Sequence, residues 1–186
     1  LVRGLGIERA HFAGISLGGV ITQRLALDAP ELVRSMVLVS TSSQVGEAAA
    51  KGWSRLADSI EQKGFRPGTD AAARGFSRGF GEKHPEIIEA ASRATAANDP
   101  KAYAAASRAA STYNWTDCLS EVQTPTLILQ GAEDQLTPPG GSVIMSRRLP
   151  HNCLLIIPEC GHNLPIEQRI LFESATLSFL AGIELS

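Results

Sequence analysis

The run Gly14-Ile15-Ser16-Leu17-Gly18 places a serine between two glycines at G-x-S-x-G spacing. A serine hydroxyl is a weak nucleophile near neutral pH. It reacts when a base removes its proton and a third group orients that base. The spacing suits such chemistry where a strand turns abruptly into a helix. The middle residue is then forced into a strained conformation, with its side chain projecting from the end of the sheet. Glycine is expected on both sides because a Cβ at either position would meet the neighbouring strand or helix. The helix N-terminus aims backbone N–H groups at charge developing on a substrate carbonyl, and the N–H of Leu17 is the natural oxyanion donor. Taken alone, Ser16 could equally be a helix cap, a common place for serine.

The base must come from four histidines, His11, His84, His151 and His162. His11 lies in the apolar run before Ser16, where a satisfied sheet role fits it better. His84 sits in a Lys-His-Pro loop expected to be solvated, and His151 in a Pro-His-Asn turn. His162 follows the run Leu154-Leu155-Ile156-Ile157 within Pro158-Glu159-Cys160-Gly161-His162, beyond a strand's C-terminal end, where the active-site loops of open parallel sheets gather. A surface loop histidine is the alternative for it. The acid candidate, Asp134, follows Thr126-Leu127-Ile128-Leu129-Gln130 in the same way. Its alternative is a cap for a helix starting near Pro138. Glu133 and Glu159 compete less well. An acid after the preceding strand finds no carboxylate in Ser40-Thr41-Ser42-Ser43. Ser16, Asp134 and His162 stand in the chain order that G-x-S-x-G chemistry requires, and they persuade as a set rather than singly.

These residues need strands to carry them and helices to cross between. Strand runs are expected at residues 11–15, 35–40, 125–130 and 153–157, and residues 1–9 should be the last turns of a helix. Helical spacing follows Ser16 from Val20 to Pro30 and recurs at residues 138–149 and 165–180. Between the two halves, residues 41–117 are rich in Ala, Arg and Gly. Helices are expected there at residues 46–63, 69–80, 85–97 and 100–111. Aromatic residues are dotted through that stretch: Trp53, Phe65, Phe76, Phe80, Tyr103, Tyr113 and Trp115. Two βα halves around a helical insert predict an α/β fold with a parallel sheet and a helical lid.

Bulk properties exclude several classes. The 186 residues are 44% hydrophobic and 19% charged with a net charge of −2, a balance that buries a core without metal or disulfide. No basic stripe suggests nucleic acid or an anionic membrane, and the apolar runs are too short to span a bilayer. Cys118, Cys153 and Cys160 are odd in number and lack Cys-x-x-Cys spacing, so free thiols in a reducing, cytoplasmic compartment are expected. Gly4-x-Gly6 lacks the third glycine of a dinucleotide fingerprint, and no Lys-Ser or Lys-Thr follows Gly18-Gly19 to make a P-loop.

Gly14-Ile15-Ser16-Leu17-Gly18-Gly19 with Ala26 and Pro30, Pro125 to Gly131 with Asp134, Thr137-Pro138-Pro139 and Gly161-His162 together resemble the capped α/β-hydrolase family. The branch that looks nearest holds 3-oxoadipate enol-lactonases, cofactor-free haloperoxidase-like esterases and carboxylesterases. The resemblance runs through nearly all of the chain outside the insert. It implies a core of residues 1–40 and 118–186 with a cap at residues 41–117. It also implies Ser16 as nucleophile, His162 as base, Asp134 as supporting acid, Leu17 as oxyanion donor, and no cofactor or metal. A small-molecule ester or lactone is the expected substrate; C–C bond hydrolysis, perhydrolysis and a non-catalytic ligand-binding role are the alternatives. Serine rather than aspartate at the nucleophile position speaks against haloalkane dehalogenases and epoxide hydrolases. The family's first four strands and its His-Gly loop, source of a second oxyanion N–H, have no counterpart here. The expectation is therefore a bare edge at the nucleophile strand, with the chain a fragment or the edge covered by an upstream segment or a second copy.

Overall fold

The structure, a computed structural model, describes residues 1–64 and 68–184; Phe65 lies outside them. Four short runs of aliphatic and β-branched residues form strands β1 (Ala10–Ile15), β2 (Val33–Val39), β3 (Thr126–Gly131) and β4 (Asn152–Ile157). They lie side by side in chain order and all parallel, with Ile15 opposite Val39, Val39 opposite Leu129, and Leu129 opposite Leu155. Parallel neighbours cannot be joined by a hairpin and need crossovers. α1 (Leu17–Asp28) joins β1 to β2, and α7 (Gly140–Arg148) joins β3 to β4. β2 and β3 are joined by a long helical excursion: α2 (Glu47–Lys63), α3 (Thr69–Ala73), α4 (Arg78–Lys83), α5 (Pro85–Ala96) and α6 (Pro100–Ala110). α8 (Leu164–Glu167) and α9 (Arg169–Glu184) follow β4.

Side chains along a strand point alternately to opposite faces, and the core divides accordingly. Even-numbered Met36, Leu38 and Ile128 pack with Ala26 of α1 and Met145 of α7. Odd-numbered Val37, Val39, Leu127 and Leu129 pack with Phe172, Ala175 and Phe179 of α9. With helices on both faces, β3 is buried along its whole length, which is why its sequence reads as a continuous apolar run. A separate cluster of Ala57 and Ile60 of α2 with Ala104 of α6 holds the excursion together. Among the described residues β1 pairs with β2 alone, so its outer edge is unpaired. No helix among them is long and apolar enough to cross a membrane.

Three expected elements differ. Residues 1–9 form one 3₁₀ turn at Arg3–Leu5 rather than the end of a helix. Leu1 is 99% exposed and Leu5 64%, and a short helix with no apolar face packed is marginal in water. The helix expected over residues 69–80 is two, α3 and α4, separated at Gly75 to Ser77, where Ser77 Oγ caps α4 by accepting from the Phe80 N–H at 3.4 Å. The last helix breaks at Gln168, whose non-helical backbone (φ −128°, ψ 49°) divides α8 from α9.

Candidate active site

Ser16 is the residue on which β1 ends and α1 begins, and its backbone is strained there (φ 53°, ψ −119°). Such a conformation costs a non-glycine residue about 1–3 kcal/mol and persists only where its surroundings over-determine it. Three contacts hold it. The Ser16 N–H donates to the Val39 carbonyl at 2.9 Å. Its own carbonyl accepts from Thr41 Oγ1 at 2.8 Å. A Cβ on Gly14 would run into the backbone of Gly18 and Gly19, so only glycine lets β1 pass so close to the start of α1. Gly18, the other glycine of the motif, has open space where a Cβ would stand; the crowded one is Gly19, where a Cβ would come within 2.6 Å of the Thr41 methyl. The steric demand expected at Gly18 therefore falls one residue later. Although Ser16 precedes α1, its hydroxyl makes no capping bond.

Asp134 and His162 lie on the loops that follow β3 and β4, beyond the same end of the sheet as Ser16. His162 leans back across a strand spacing to Asp134, its Nδ1 2.8 Å from Asp134 Oδ2. The Asp134 side chain is 0% exposed and that of His162 10%, so the pair is sheltered from competing water. Asp134 Oδ1 accepts the backbone N–H groups of Leu136 and Thr137 at 2.9 and 2.8 Å. Those bonds close the Asp134 turn itself, and α7, which starts after Pro139, receives no side-chain cap. Oδ2, the oxygen facing His162, also accepts from Gln130 Nε2 at 3.2 Å. Buried Gln130 accepts in turn from Ser142 Oγ at 2.7 Å, and Ser142 reaches the Thr41 carbonyl at 3.4 Å. Through Thr41, which also bonds the Ser16 carbonyl, one buried polar chain runs from the carboxylate to the serine turn.

The His162 loop is tied down on its other side. Glu167 accepts the Gly161 N–H with one oxygen (3.0 Å) and the Ser77 N–H with the other (2.9 Å). Asn163 donates to the Gly75 carbonyl from both its backbone and its side-chain nitrogen at 2.9 Å. Cys160, wholly buried beside this loop, has its thiol pushed up to about 12 by burial and then by the carboxylates of Glu167, Asp134 and Glu133. It therefore stays a protonated, unreactive thiol at neutral pH. The other histidines have separate roles: His11 bonds Ser35 Oγ at 2.7 Å and Glu184 at 3.0 Å, His84 leans on the Phe80 ring at a 4.5 Å centroid distance, and His151 is exposed.

Two cavities open at this end of the sheet. One of about 490 Å³ is bordered by Ser16 and Leu17, and the other, about 710 Å³, by His162 and Asn163; Leu136 and Tyr103 border both. Trp53, Tyr103 and Tyr113 are the aromatic walls of the first. Phe76 and Phe80 instead stack on each other at 5.5 Å, and Trp115 packs against the main core. Among the described residues no hydrogen bond joins Ser16 Oγ to His162, none engages the Leu17 N–H, and no group of three or more His, Cys, Asp or Glu could hold a metal ion.

The roles of Gln130, Thr41, Glu167 and Asn163 escaped the sequence reading. Gln130 was visible only as the polar end of an apolar run, and an apolar strand closing on an amide that cannot be solvated was the signal available.

A strained serine at a strand-to-helix turn and a buried carboxylate–imidazole pair thus meet at one end of the sheet, in a chain that has known relatives. The model of the alpha/beta hydrolase fold family matches residues 1–168. The chain belongs to that family. Among curated α/β hydrolases, 3-oxoadipate enol-lactonase 2 of Acinetobacter baylyi is 31% identical over 172 residues, which are 92% of this chain. The chain spans 63% of that relative's length. Among solved structures, a thermophilic esterase from Thermogutta terrifontis superposes with a TM-score of 0.89 at 26% identity, over 98% of this chain and 68% of that one. The enol-lactonase from Burkholderia xenovorans superposes equally well, TM-score 0.89, at 21% identity over 97% of this chain and 68% of its own; that likeness speaks for the fold alone.

Proposed function

We propose that this α/β hydrolase is a serine hydrolase cleaving a carboxylic ester or lactone, with Ser16 as nucleophile, His162 as general base and Asp134 as its orienting acid. The observation that carries the reading is the buried 2.8 Å contact of His162 Nδ1 with Asp134 Oδ2, which leaves Nε2 as the proton acceptor. Ser16 Oγ attacks the carbonyl carbon while His162 Nε2 takes its proton, and the negative charge moves to the carbonyl oxygen. The Leu17 N–H, at the positive end of α1, stabilises that oxyanion. Collapse breaks the bond to the alkoxy oxygen, which leaves with the proton held by His162. Water then repeats the sequence on the acyl-serine and releases the acid. The bond between Ser16 and His162 that this requires is one that often closes only with substrate bound.

The names of the enol-lactonase and esterase relatives support an ester or lactone as the bond attacked. The three free cysteines fit a cytoplasmic setting. The unpaired edge of β1 is proposed to be covered by an upstream segment or a second copy. The test is labelling of the full-length native polypeptide with a fluorophosphonate at neutral pH. Labelling of the wild type that vanishes in Ser16→Ala is expected; an unlabelled wild type would mean a non-catalytic member of the family.

A further inference from the structure

The cavity beside Ser16 is bordered by no charged residue among those described. Small side chains shape its walls, notably Ala49, Ala106 and Ala110, with Trp53 and Ile144 supplying larger apolar surface. Several hydroxyls border it too, and five of them are engaged with the protein, so that beyond Ser16 and Tyr103 the remaining polar side chains of the lining are the Thr137 hydroxyl and the Gln44 amide. Thr41 Oγ1 donates to the Ser16 carbonyl at 2.8 Å, Ser42 Oγ to the Gln44 carbonyl at 3.0 Å, and Ser107 Oγ to the Tyr103 carbonyl at 2.9 Å. Ser43 Oγ is paired with Thr116 Oγ1 at 2.7 Å, and Tyr113 OH with Ser42 Oγ at 2.8 Å. Walls that look half polar in composition therefore offer a ligand mainly carbon. A carboxylate entering this space would lose its hydration and find no cation and few donors in exchange, which is strongly unfavourable.

The second cavity differs. Lys63, Ser59, Thr95 and Asn163 border it together with His162. An ester bound across Ser16 has two halves, the acyl and the alkoxy group. Resting on the assignment of Ser16 as nucleophile, we infer that the half seated in the Ser16 cavity is an uncharged aliphatic or aromatic group of medium size, and that any charged half is directed to the Lys63 side. The cavity volume of about 490 Å³ lies within the range of sites that take small, mostly apolar ligands. Substrates with an anionic group on both halves are excluded, whichever way they bind, because one carboxylate would have to enter the uncharged cavity.

The test compares pentyl hexanoate with its analogue bearing a terminal carboxylate on both chains, using the full-length polypeptide. Hydrolysis is followed by proton release, and binding to Ser16→Ala by the fluorescence of Trp53 at the cavity wall. The neutral ester is expected to exceed the doubly charged one by at least about a hundredfold in kcat/KM. Ala106→Lys, which places a cation in the cavity, is expected to narrow that ratio, and Ala106→Phe to weaken binding of the neutral ester by filling its space. If both esters react within about tenfold of each other, the assignment of the cavity is overturned while the hydrolase reading stands. If the wild type hydrolyses neither ester but Ser16→Ala still binds only the neutral one, the cavity assignment stands and the hydrolase reading fails. If Ser16→Ala binds neither, or binds the charged ester as well as the neutral one, the cavity assignment is overturned.

Discussion

Asp134 shares its two oxygens unequally, and that division decides what it can do for His162. Oδ1 is occupied by two backbone donors of its own turn, while Oδ2 is divided between Gln130 and His162. Gln130→Leu removes one donor from the carboxylate and leaves Ser142 Oγ only its longer contact with the Thr41 carbonyl. A loss of about 1–3 kcal/mol in unfolding free energy is expected by denaturant titration, with kcat falling more than KM rises, since the amide touches the acid rather than the substrate. A second prediction concerns Cys160. Its thiol is raised in the folded state from an ordinary 9.0 to about 12, so the unfolded chain ionises first as the medium becomes alkaline. The folded state then binds the extra proton, and stability falls as pH rises through that window. Urea midpoints should drop between about pH 8 and pH 10.5, with a smaller drop in Cys160→Ala. At this scale motif and chain order name Ser16, Asp134 and His162 as candidates, and of these Asp134 and His162 lie in contact. The roles of Gln130 and Thr41 lie in hydrogen bonds between separate loops, which the amide closing an apolar strand hints at for Gln130 and nothing local signals for Thr41.

At the scale of elements, one carboxylate couples two segments far apart in the chain. Glu167 of α8 bonds both the Gly161 N–H next to His162 and the Ser77 N–H at the start of α4. The helical excursion is thus anchored to the loop carrying the base. Glu167→Ala should loosen both ends at once. Faster amide exchange at Gly161 and Ser77 together, with kcat reduced at least about tenfold by misplacement of the imidazole, is the expected result; faster exchange at one site alone would refute the coupling. This anchor also explains why α3 and α4 are separate helices. Gly75 gives its carbonyl to Asn163 and Ser77 its N–H to Glu167, groups that a continuous helix would keep for itself. Helical spacing over residues 69–80 shows which residues prefer a helix, not which carbonyl another loop will capture. Strand positions were legible to within about two residues because apolar runs buried on both faces have few alternative readings.

For the whole molecule, four parallel strands bring three loops to one end of the sheet, and the candidate chemistry sits there because crossover connections place every C-terminal strand end on one side. A helical lid over that end is the expectation from the insert, and the aromatic residues of the excursion divide between cavity wall (Trp53, Tyr103) and internal packing (Phe76, Phe80). The unpaired edge of β1, and a span of 63% of the Acinetobacter relative, make full-length polypeptide the right material for any assay. The most direct measurement is capture of the acyl-enzyme: rapid acid quench during turnover of a chromogenic ester, then peptide mass analysis. The acyl mass is predicted on the tryptic peptide running from Ala10 to Arg24, which contains Ser16, and is predicted to be absent in Ser16→Ala together with turnover. Turnover that persists in Ser16→Ala, or an acyl group on any other peptide, would contradict Ser16 as the nucleophile.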